Sequence, residues 1–464
     1  MKNSEEKEGE EEEEEALSRA AKSTDELYLL RDTYYPQNPH DRISSLQQLS
    51  DLILNLLDSV PLEERKSPAQ RAIYEYLRGK VLDVFPEYKK EAEDHLSKAV
   101  KLNPSLADAW LCLGNCIWKK GDLSAAKNCL NLALNKGPNK KILCQLSMLK
   151  RSMSQGYCLI SGLTNMIICK MMSLERKSGA SENGGKLGKW KEKISCADNQ
   201  AELVDESIQH AKEAIALDVK DGNSWYNLGN AYLTSFFVTG GWDHTRLSHS
   251  LKAYQNAEKD EGIKSNPDFY FNSATANKYL ENYERALSGF EAAALKDPGL
   301  NAAEEVQKIV NLLDKVDNLL RVHVRAKRIA SLAASLAVVN LKSSYRTVTI
   351  DLLSEGLNRA LAVQGKVIFF IRSDGVAPLY YLLCDSNQTC FVLSVYGVRQ
   401  DVIKGGDQLT LLDPCFREVD VSWKEKHYQF KSIRLDFYEQ VLVNGKALTP
   451  QQAIHTSIYA QHKP

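Results

Sequence analysis

One short pattern occurs twice in the chain and constrains its fold more than any other feature. The stretch "AWLCLGNCIW" (109–118) has a counterpart in "SWYNLGNAY" (224–232), and in both a tryptophan stands three residues before a leucine–glycine pair. A motif that recurs with its surroundings indicates stacked copies of one helical unit rather than a single unrepeated core.

The residues that follow the first tryptophan stay in phase over a whole unit. Small residues let two antiparallel helices approach, large ones fill the space between them, and a proline ends the second helix. The positions concerned are Trp110, Leu113, Gly114, Ile117, Gly121, Ala126, Leu130, Ala133 and Pro138. This spacing resembles the tetratricopeptide repeat, a helix–turn–helix unit of about 34 residues.

Four further copies are predicted along the chain. One begins near Trp225 and carries the extra residues "SFFVTGGWD", one begins near Tyr270, and a weaker one around Gly79 precedes the others. Residues 141–153 and 205–218 pair as first and second helices of the remaining copy. The sequence therefore predicts a mainly α protein, with a tetratricopeptide-repeat α-solenoid over residues 67–315.

An insertion, residues 155–198, separates the two helices of that remaining copy. Its stretch "RKSGASENGGKLGKWKEK" is rich in Gly, Ser and Lys, which favours a disordered loop. Gly188 and Lys189 are followed by Trp190 and lack the spacing of a phosphate-binding loop. We interpret the insertion as a loop that leaves the solenoid, an addition from alternative splicing, with a functional lysine-rich loop as the alternative.

The first helices of a solenoid line a concave groove that suits an extended peptide. The positions that face such a groove are occupied by Asn115, Asn230, Arg151 and Asp268. Asparagine can bind a peptide backbone through its donor and its acceptor, whereas Arg and Asp select charged side chains by paired hydrogen bonds. The alternative for each residue taken singly is ordinary solvated helix surface.

The N-terminal part of the chain divides into a charged tail and two helices. Residues 1–24 contain the acidic run "EEKEGEEEEEE", and we expect them to be disordered. Residues 25–66 show apolar residues at helical spacing and are predicted to form capping helices ahead of the solenoid.

After the solenoid, residues 316–342 form a predicted basic helical linker. No acid lies between Asp317 and Asp351. Such a patch can meet the phosphates of RNA, the alternative being solvated helix surface. The basic residues proposed for this contact are Arg321, Arg325, Lys327 and Arg328.

The last part of the chain, residues 343–460, changes to short strand-like runs separated by Asp-Gly, Gly-Gly and Asn-Gly. We predict a small β-barrel of the OB-fold type, a class that often binds single strands on aromatic platforms. The aromatic candidates are Phe370, Tyr380, Phe391 and Tyr396. Because the region has little excess positive charge, an aromatic core is favoured over a stacking platform.

Several classes of protein are disfavoured by what the sequence lacks. With 59 Lys+Arg against 60 Asp+Glu, the chain is no globally basic nucleic-acid binder. It shows no secretory signal, and its longest apolar stretch, 156–172, is too short and too polar to span a membrane. Ten cysteines without metal-ligand spacing indicate reduced thiols, and we find no catalytic motif. We expect no enzyme activity, no cofactor and no metal.

The order of acidic tail, "LYLLRDTYY", repeats, basic helix and barrel resembles the tetratricopeptide repeat protein 5 (Strap) family. The most specific segments are "LSKAVKLNP", "WKKGDLSAA", "SWYNLGN", "SNPD" and "YERALSGFEAAALKDP". The resemblance implies two activities. One is recognition of Met-Arg-Glu at the N-terminus of nascent tubulin on the ribosome, which leads to decay of the tubulin mRNA. The other is nuclear scaffolding of a histone acetyltransferase coactivator in stress response and actin regulation.

The resemblance also implies roles for individual residues. The match at "LSMLKR" assigns Arg151 to the tubulin glutamate, and the aspartate after "NP", Asp268, to the tubulin arginine. A further acidic contact of the family falls on Ala302, with Glu304 and Glu305 nearby. The insertion that follows Arg151 departs from the family pattern.

Our interpretation is a non-enzymatic, monomeric adaptor in the cytoplasm and nucleus. Its expected partners are the nascent tubulin peptide, ribosomal RNA and an mRNA-decay adaptor. The alternative is a nuclear coactivator scaffold with histone acetyltransferase and actin-regulatory partners, which contacts DNA through the barrel.

Overall fold

The solenoid consists of antiparallel helix pairs. The computed structural model describes residues 16–154, 185–239, 243–323, 326–339, 341, 344–373 and 378–453. Its helices, numbered α1 to α14, are Ala16–Thr33, Pro39–Asp58, Pro68–Leu82, Lys90–Leu102, Ala107–Lys119, Leu123–Leu134, residues 140–154, Gly185–Leu217, Gly222–Val238, His244–Ala257, Pro267–Tyr279, Tyr283–Lys296, Ala302–Asn318 and Ala326–Ala334. The successive pairs from α3–α4 to α11–α12 are the five predicted repeats, and the predicted fold class is confirmed.

Glycines allow the two helices of a repeat to approach closely. A Cβ atom on Gly79 would lie 2.6 Å from Leu96 Cγ, and one on Gly229 would lie 2.5 Å from the Tyr254 ring. Real Cβ atoms do not make contacts this short, so any larger residue would push the helices apart. A glycine at this position therefore sets the spacing of the α3–α4 and α9–α10 pairs.

The repeated tryptophans join neighbouring repeats. Trp110 packs against the apolar clusters on both sides of α5, and Trp225 does the same beside α9. Each indole Nε1 also donates to a carbonyl in the preceding turn, Trp110 to Pro104 at 3.0 Å and Trp225 to Val219 at 2.8 Å. The tryptophan thus fixes the entry of its helix as well as the contact between repeats.

The C-terminal domain is a curled sheet with the OB topology. Its strands, numbered β1 to β10, are Arg346–Val348, Gly356–Leu357, Leu361–Ile371, Leu379–Cys384, Cys390–Val395, Gln408–Leu412, Cys415–Trp423, Lys426–Leu435, Val441–Val443 and Lys446–Ala447. Strands β3, β4 and β5 form an antiparallel meander, and β5 pairs with β8 in parallel. Strand β6 pairs with β3 and β7 with β8, and only Asp413 and Pro414 separate β6 from β7. The sheet therefore curls back on itself through this bend.

The barrel packs on the last helices of the solenoid through one continuous apolar cluster. Phe290 of α12 and Leu313 of α13 share this cluster with Tyr380, Leu382 and Val392 of the barrel. A second cluster, which includes Phe391, fills the barrel interior. The two domains thus share buried surface instead of being joined only by the chain.

Two predicted boundaries are wrong. The disordered tail was predicted to reach residue 24, but α1 begins at Ala16, because Leu17, Ala20 and Leu27 form a buried helical stripe. The loop predicted within 155–198 extends too far, because α8 already begins at Gly185, where Lys, Glu, Ala and Leu favour a helix. Residues 1–15 and 155–184 lie outside the described residues.

Candidate peptide-binding groove

Five side-chain amides recur along the first helices of successive repeats. They stand on α5, α7, α9 and α11, the helices that line the concave side of a solenoid. The residues are Asn115, Gln145, Asn227, Asn230 and Asn272. Because an amide carries both a donor and an acceptor, such a row can bind the main chain of an extended peptide.

Arg151 lies at the centre of this groove and is almost completely buried, with 1% of its surface exposed. Its Nη2 donates to Asn227 Oδ1 at 3.2 Å. Within the described part of the chain, Nε and Nη1 are enclosed and have no hydrogen-bond partner. Burial lowers the pKa of Arg151 to about 10. Among the described residues, the guanidinium therefore has neither a counter-charge nor acceptors for Nε and Nη1.

Asn230 sits in a network of polar side chains next to Arg151. Its Oδ1 accepts from the Tyr254 hydroxyl at 2.7 Å and from Asn272 Nδ2 at 3.4 Å. Asn272 Nδ2 also donates to the Tyr226 hydroxyl at 2.8 Å. The Nδ2 of Asn230 itself is buried, and a hydrogen bond from the Asn230 side chain acts to lower the pKa of Tyr226. The Asn230 amide is therefore part of this polar network.

Asp268 supplies negative charge on the other side of Tyr226. It stands half-buried in the first turn of α11. Burial first, and the Asp268 carboxylate second, raise the pKa of Tyr226, whereas Arg151 lowers it. One phenol therefore lies within electrostatic range of both the predicted cation and the predicted anion of the groove.

A second carboxylate near Asp268 was missed from the sequence. Burial raises the pKa of Tyr35 to about 12, and the carboxylates of Asp268 and Asp297 add to the shift. Tyr35 follows α1, so the N-terminal segment reaches the far end of the groove. The "DP" at Asp297 was already in a quoted family segment, but nothing in the sequence placed it beside Asp268.

The acids proposed from the family alignment have other surroundings. Glu305 forms ion pairs with Lys278 and Lys308, each at 2.6 Å. Glu304 is exposed in the first turn of α13. The charge of Glu305 is thus already balanced by two lysines.

Comparison with known proteins agrees with this architecture. The family model for the tetratricopeptide repeat protein 5 OB fold domain matches residues 344–457. Tetratricopeptide repeat protein 5 of Homo sapiens is 32% identical over 452 residues, 93% of each chain. The protein of that name from Bos taurus is 33% identical over 459 residues, 94% of each chain. The chain belongs to the tetratricopeptide repeat protein 5 family.

Membership of the tetratricopeptide repeat protein 5 family, together with the repeats, identifies the chain as a repeat-containing adaptor. Among solved structures, YrrB, a tetratricopeptide-repeat protein with an unusual peptide-binding site, aligns with 53% of this chain and 95% of its own at 18% identity, with a TM-score of 0.30. A likeness of that size supports no further conclusion.

Two members of the predicted basic patch have intramolecular partners. Arg321 pairs with Asp317 at 2.7 Å. Arg328 stacks over the Phe369 ring at 4.8 Å and donates to the Ile368 carbonyl at 3.4 Å, which attaches α14 to the barrel. Lys327 is exposed, and Arg325 lies outside the described residues. Arg328 therefore contributes to domain docking as well as to surface charge.

The barrel presents little of its aromatic surface to solvent. Phe391 is in the barrel interior, while Tyr380 and Tyr396 are buried between the domains. Only Phe370, with 37% of its surface exposed, remains accessible among the four candidates. Strands β4 and β5 correspond to the second and third strands of an OB-fold, whose face binds oligonucleotides in other proteins. Here that face packs against α12 and α13.

Neither a metal site nor a membrane span is found among the described residues. These residues contain no group of three or more His, Cys, Asp or Glu side chains placed to bind a metal ion. None of the described helices combines the length and apolar character needed to cross a membrane.

Proposed function

We propose that the chain is an adaptor that captures Met-Arg-Glu at the N-terminus of nascent tubulin and promotes decay of the tubulin mRNA. The observation that carries the proposal is Arg151, a buried guanidinium for which the described part of the chain supplies no counter-charge. A ligand carboxylate would supply both the missing charge and the missing acceptors. The ligand arginine would lie against Asp268, with Asp297 nearby.

The order of the charged groups supports this ligand. Asp268 and Arg151 shift the pKa of Tyr226 in opposite directions, so one phenol lies within electrostatic range of both charges. A basic residue next to an acidic one meets this pattern, and the amides on α9 and α11 can hold the main chain between them.

The test is a charge-order experiment by fluorescence polarisation. We expect labelled Met-Arg-Glu-Cys to bind and Met-Glu-Arg-Cys to bind at least about 30-fold more weakly, since both charged pairs would be lost. Arg151→Glu should abolish binding, whereas Lys101→Glu, an exposed change on the second helix α4, should leave it unchanged. Equal binding of the two peptides would refute the proposal.

We propose further that the basic surface around α14 contacts ribosomal RNA, in a protein that works in the cytoplasm and also enters the nucleus. Lys327 is the cleaner test position because Arg328 also docks the barrel. Lys327→Glu should reduce co-sedimentation with ribosomes and weaken its dependence on salt. Co-sedimentation that is unchanged at every salt concentration would remove this contact from the proposal.

The alternative, a nuclear scaffold that contacts DNA through the barrel, has less support. It requires an accessible nucleic-acid face, and the face formed by β4 and β5 packs against the solenoid. We therefore do not propose DNA binding by that face.

A further inference from the structure

Two buried acceptors lie on the first helices on the side of Arg151 that faces away from Asp268. Asn115 Oδ1 on α5 and Gln145 Oε1 on α7 are enclosed and, among the described residues, have no hydrogen-bond partner. A buried polar atom without a partner destabilises a fold. Two of them on neighbouring first helices point to a ligand that supplies the missing donors.

The chemistry of these acceptors favours an uncharged donor. An amide oxygen offers no counter-charge, so a cation placed there would lose its hydration without compensation. A main-chain N–H group loses little and gains a hydrogen bond.

Both side chains can turn toward a ligand. As whole residues Asn115 and Gln145 are only half-buried. The last torsion of an amide side chain has a broad range of accessible angles. A small rotation therefore presents either oxygen to the groove without a change in the helices.

The spacing of the helices sets the length of chain involved. Neighbouring packed helices lie about 8–10 Å apart, and an extended chain advances about 3.3 Å per residue. Passage from Gln145 to Asn115 thus takes about three residues. On α7 itself, Gln145 precedes Arg151 by six residues, or about 9 Å along the axis.

We infer that Asn115 and Gln145 form a second subsite that binds the main chain of about three residues of the ligand, beginning about three residues after its acidic residue. This inference rests on the proposed function, which places the ligand arginine at Asp268 and its glutamate at Arg151. The residues that follow then continue from α7 toward α5. Because the subsite accepts hydrogen bonds from main-chain N–H groups, it can bind any residue except proline.

The test compares three labelled peptides on the intact protein by fluorescence polarisation: Met-Arg-Glu-Cys, the same peptide followed by four alanines, and that extended peptide with N-methylalanine in all four positions. We expect the alanine extension to tighten binding about tenfold, as two added hydrogen bonds would. N-methylation removes the donors and should abolish the gain. Serines in place of the alanines should preserve it.

A variant tests the same point from the protein side. In the double variant Asn115→Leu, Gln145→Leu the affinity ratio between extended and short peptide should fall from about ten to about one. Leucine is similar in size to both amides and leaves no unpaired polar atom, and thermal melting checks the fold. Asn131→Leu, an exposed amide on the second helix α6, is the matched control and should keep the ratio.

The outcomes separate the two proposals. If the short peptide binds and the extension adds nothing, the subsite is refuted while the proposed function stands. If neither peptide binds, both are refuted. A gain that survives N-methylation, or that survives in the double variant, also overturns the subsite.

Discussion

Two buried arginines of this molecule have opposite surroundings. Arg434, in the contact between barrel and solenoid, is 8% exposed, and its Nε donates to Asp436 at 2.8 Å. Its guanidinium carbon lies 4.1 Å from the Tyr396 ring centroid and 4.8 Å from that of Tyr279. Arg151, in the groove, is 1% exposed and has one neutral acceptor, Asn227.

The pKa values of the two arginines are shifted in opposite directions. Burial acts to lower the pKa of Arg434, but the attraction of Tyr396, Asp436 and Glu281 outweighs it, and the pKa rises well above its ordinary value. For Arg151 burial dominates and the pKa falls. A buried arginine that is paired with a carboxylate belongs to the architecture, whereas one for which the described residues supply no carboxylate indicates a ligand.

The largest expected effect is at the satisfied site. Arg434→Met leaves the half-buried Asp436 with only His244 beside it, and removal of one partner of a buried pair costs about 3–5 kcal/mol. The free energy of unfolding, measured in denaturant, should fall by this amount. An unchanged unfolding midpoint would show that Arg434 contributes no more than its apolar surface.

The partner carboxylate should give a pH-dependent loss. Burial raises the pKa of Asp436, but His244 and Arg434 outweigh it and the net pKa is lowered. The stability that Asp436 contributes is therefore complete above its unfolded pKa, near pH 4, and disappears as the pH falls through the lower folded value. Asp436→Asn should cost about 1.5–3 kcal/mol at pH 7. The difference in free energy of unfolding between this variant and the wild type should disappear below about pH 4. A difference that stays constant with pH would contradict this assignment.

The unsatisfied arginine should respond in the opposite direction. Arg151→Met removes an unpaired buried charge and should raise the free energy of unfolding by about 1–2 kcal/mol. The same variant should lose detectable binding of Met-Arg-Glu-Cys. Destabilisation of several kcal/mol would mean that Arg151 is a structural arginine like Arg434, and the contrast between the two sites would fail.

The smallest effect is expected at the network beside Arg151. Tyr254→Phe removes the donor to Asn230 Oδ1 but keeps the ring that packs on Gly229. Loss of one buried hydrogen bond should cost about 1 kcal/mol. Peptide affinity should fall severalfold because Asn230 is no longer held in place. Unchanged affinity would assign Asn230 to the fold and not to the ligand.

The sequence predicted those features that depend on neighbouring residues. The intervals between Trp110, Gly114 and Ala126 are fixed by contacts inside one helix pair, so periodicity predicted the repeats. Arg151 and Asp268 were predicted from their groove-facing positions in the repeats, and the family resemblance assigned them to the ligand glutamate and arginine. That Arg151 lacks an acid could not be predicted, because it depends on α9 placing Asn227 beside it from 76 positions away.

The sequence also could not predict which face of the barrel packs against the solenoid. Tyr380, which packs on the solenoid, and Phe391, which fills the barrel interior, come from neighbouring strands that both read as hydrophobic runs. Alternation shows that a strand has two faces but not what covers each of them. The electrostatic effect of Asp297 on Tyr35 was missed for a related reason, since it depends on the tertiary arrangement of distant helices.

The docked barrel limits where further repeats can be added to the solenoid. In a stack of repeats, a new helix pair can be added only where an end presents a matching surface. Here the final helices are occupied by a different kind of domain, so the array cannot grow at that end without displacing the barrel. The barrel therefore limits the number of peptide-contacting positions that the groove can have at this end. Variation in what is recognised must come from substitutions within existing repeats or from segments inserted between their helices.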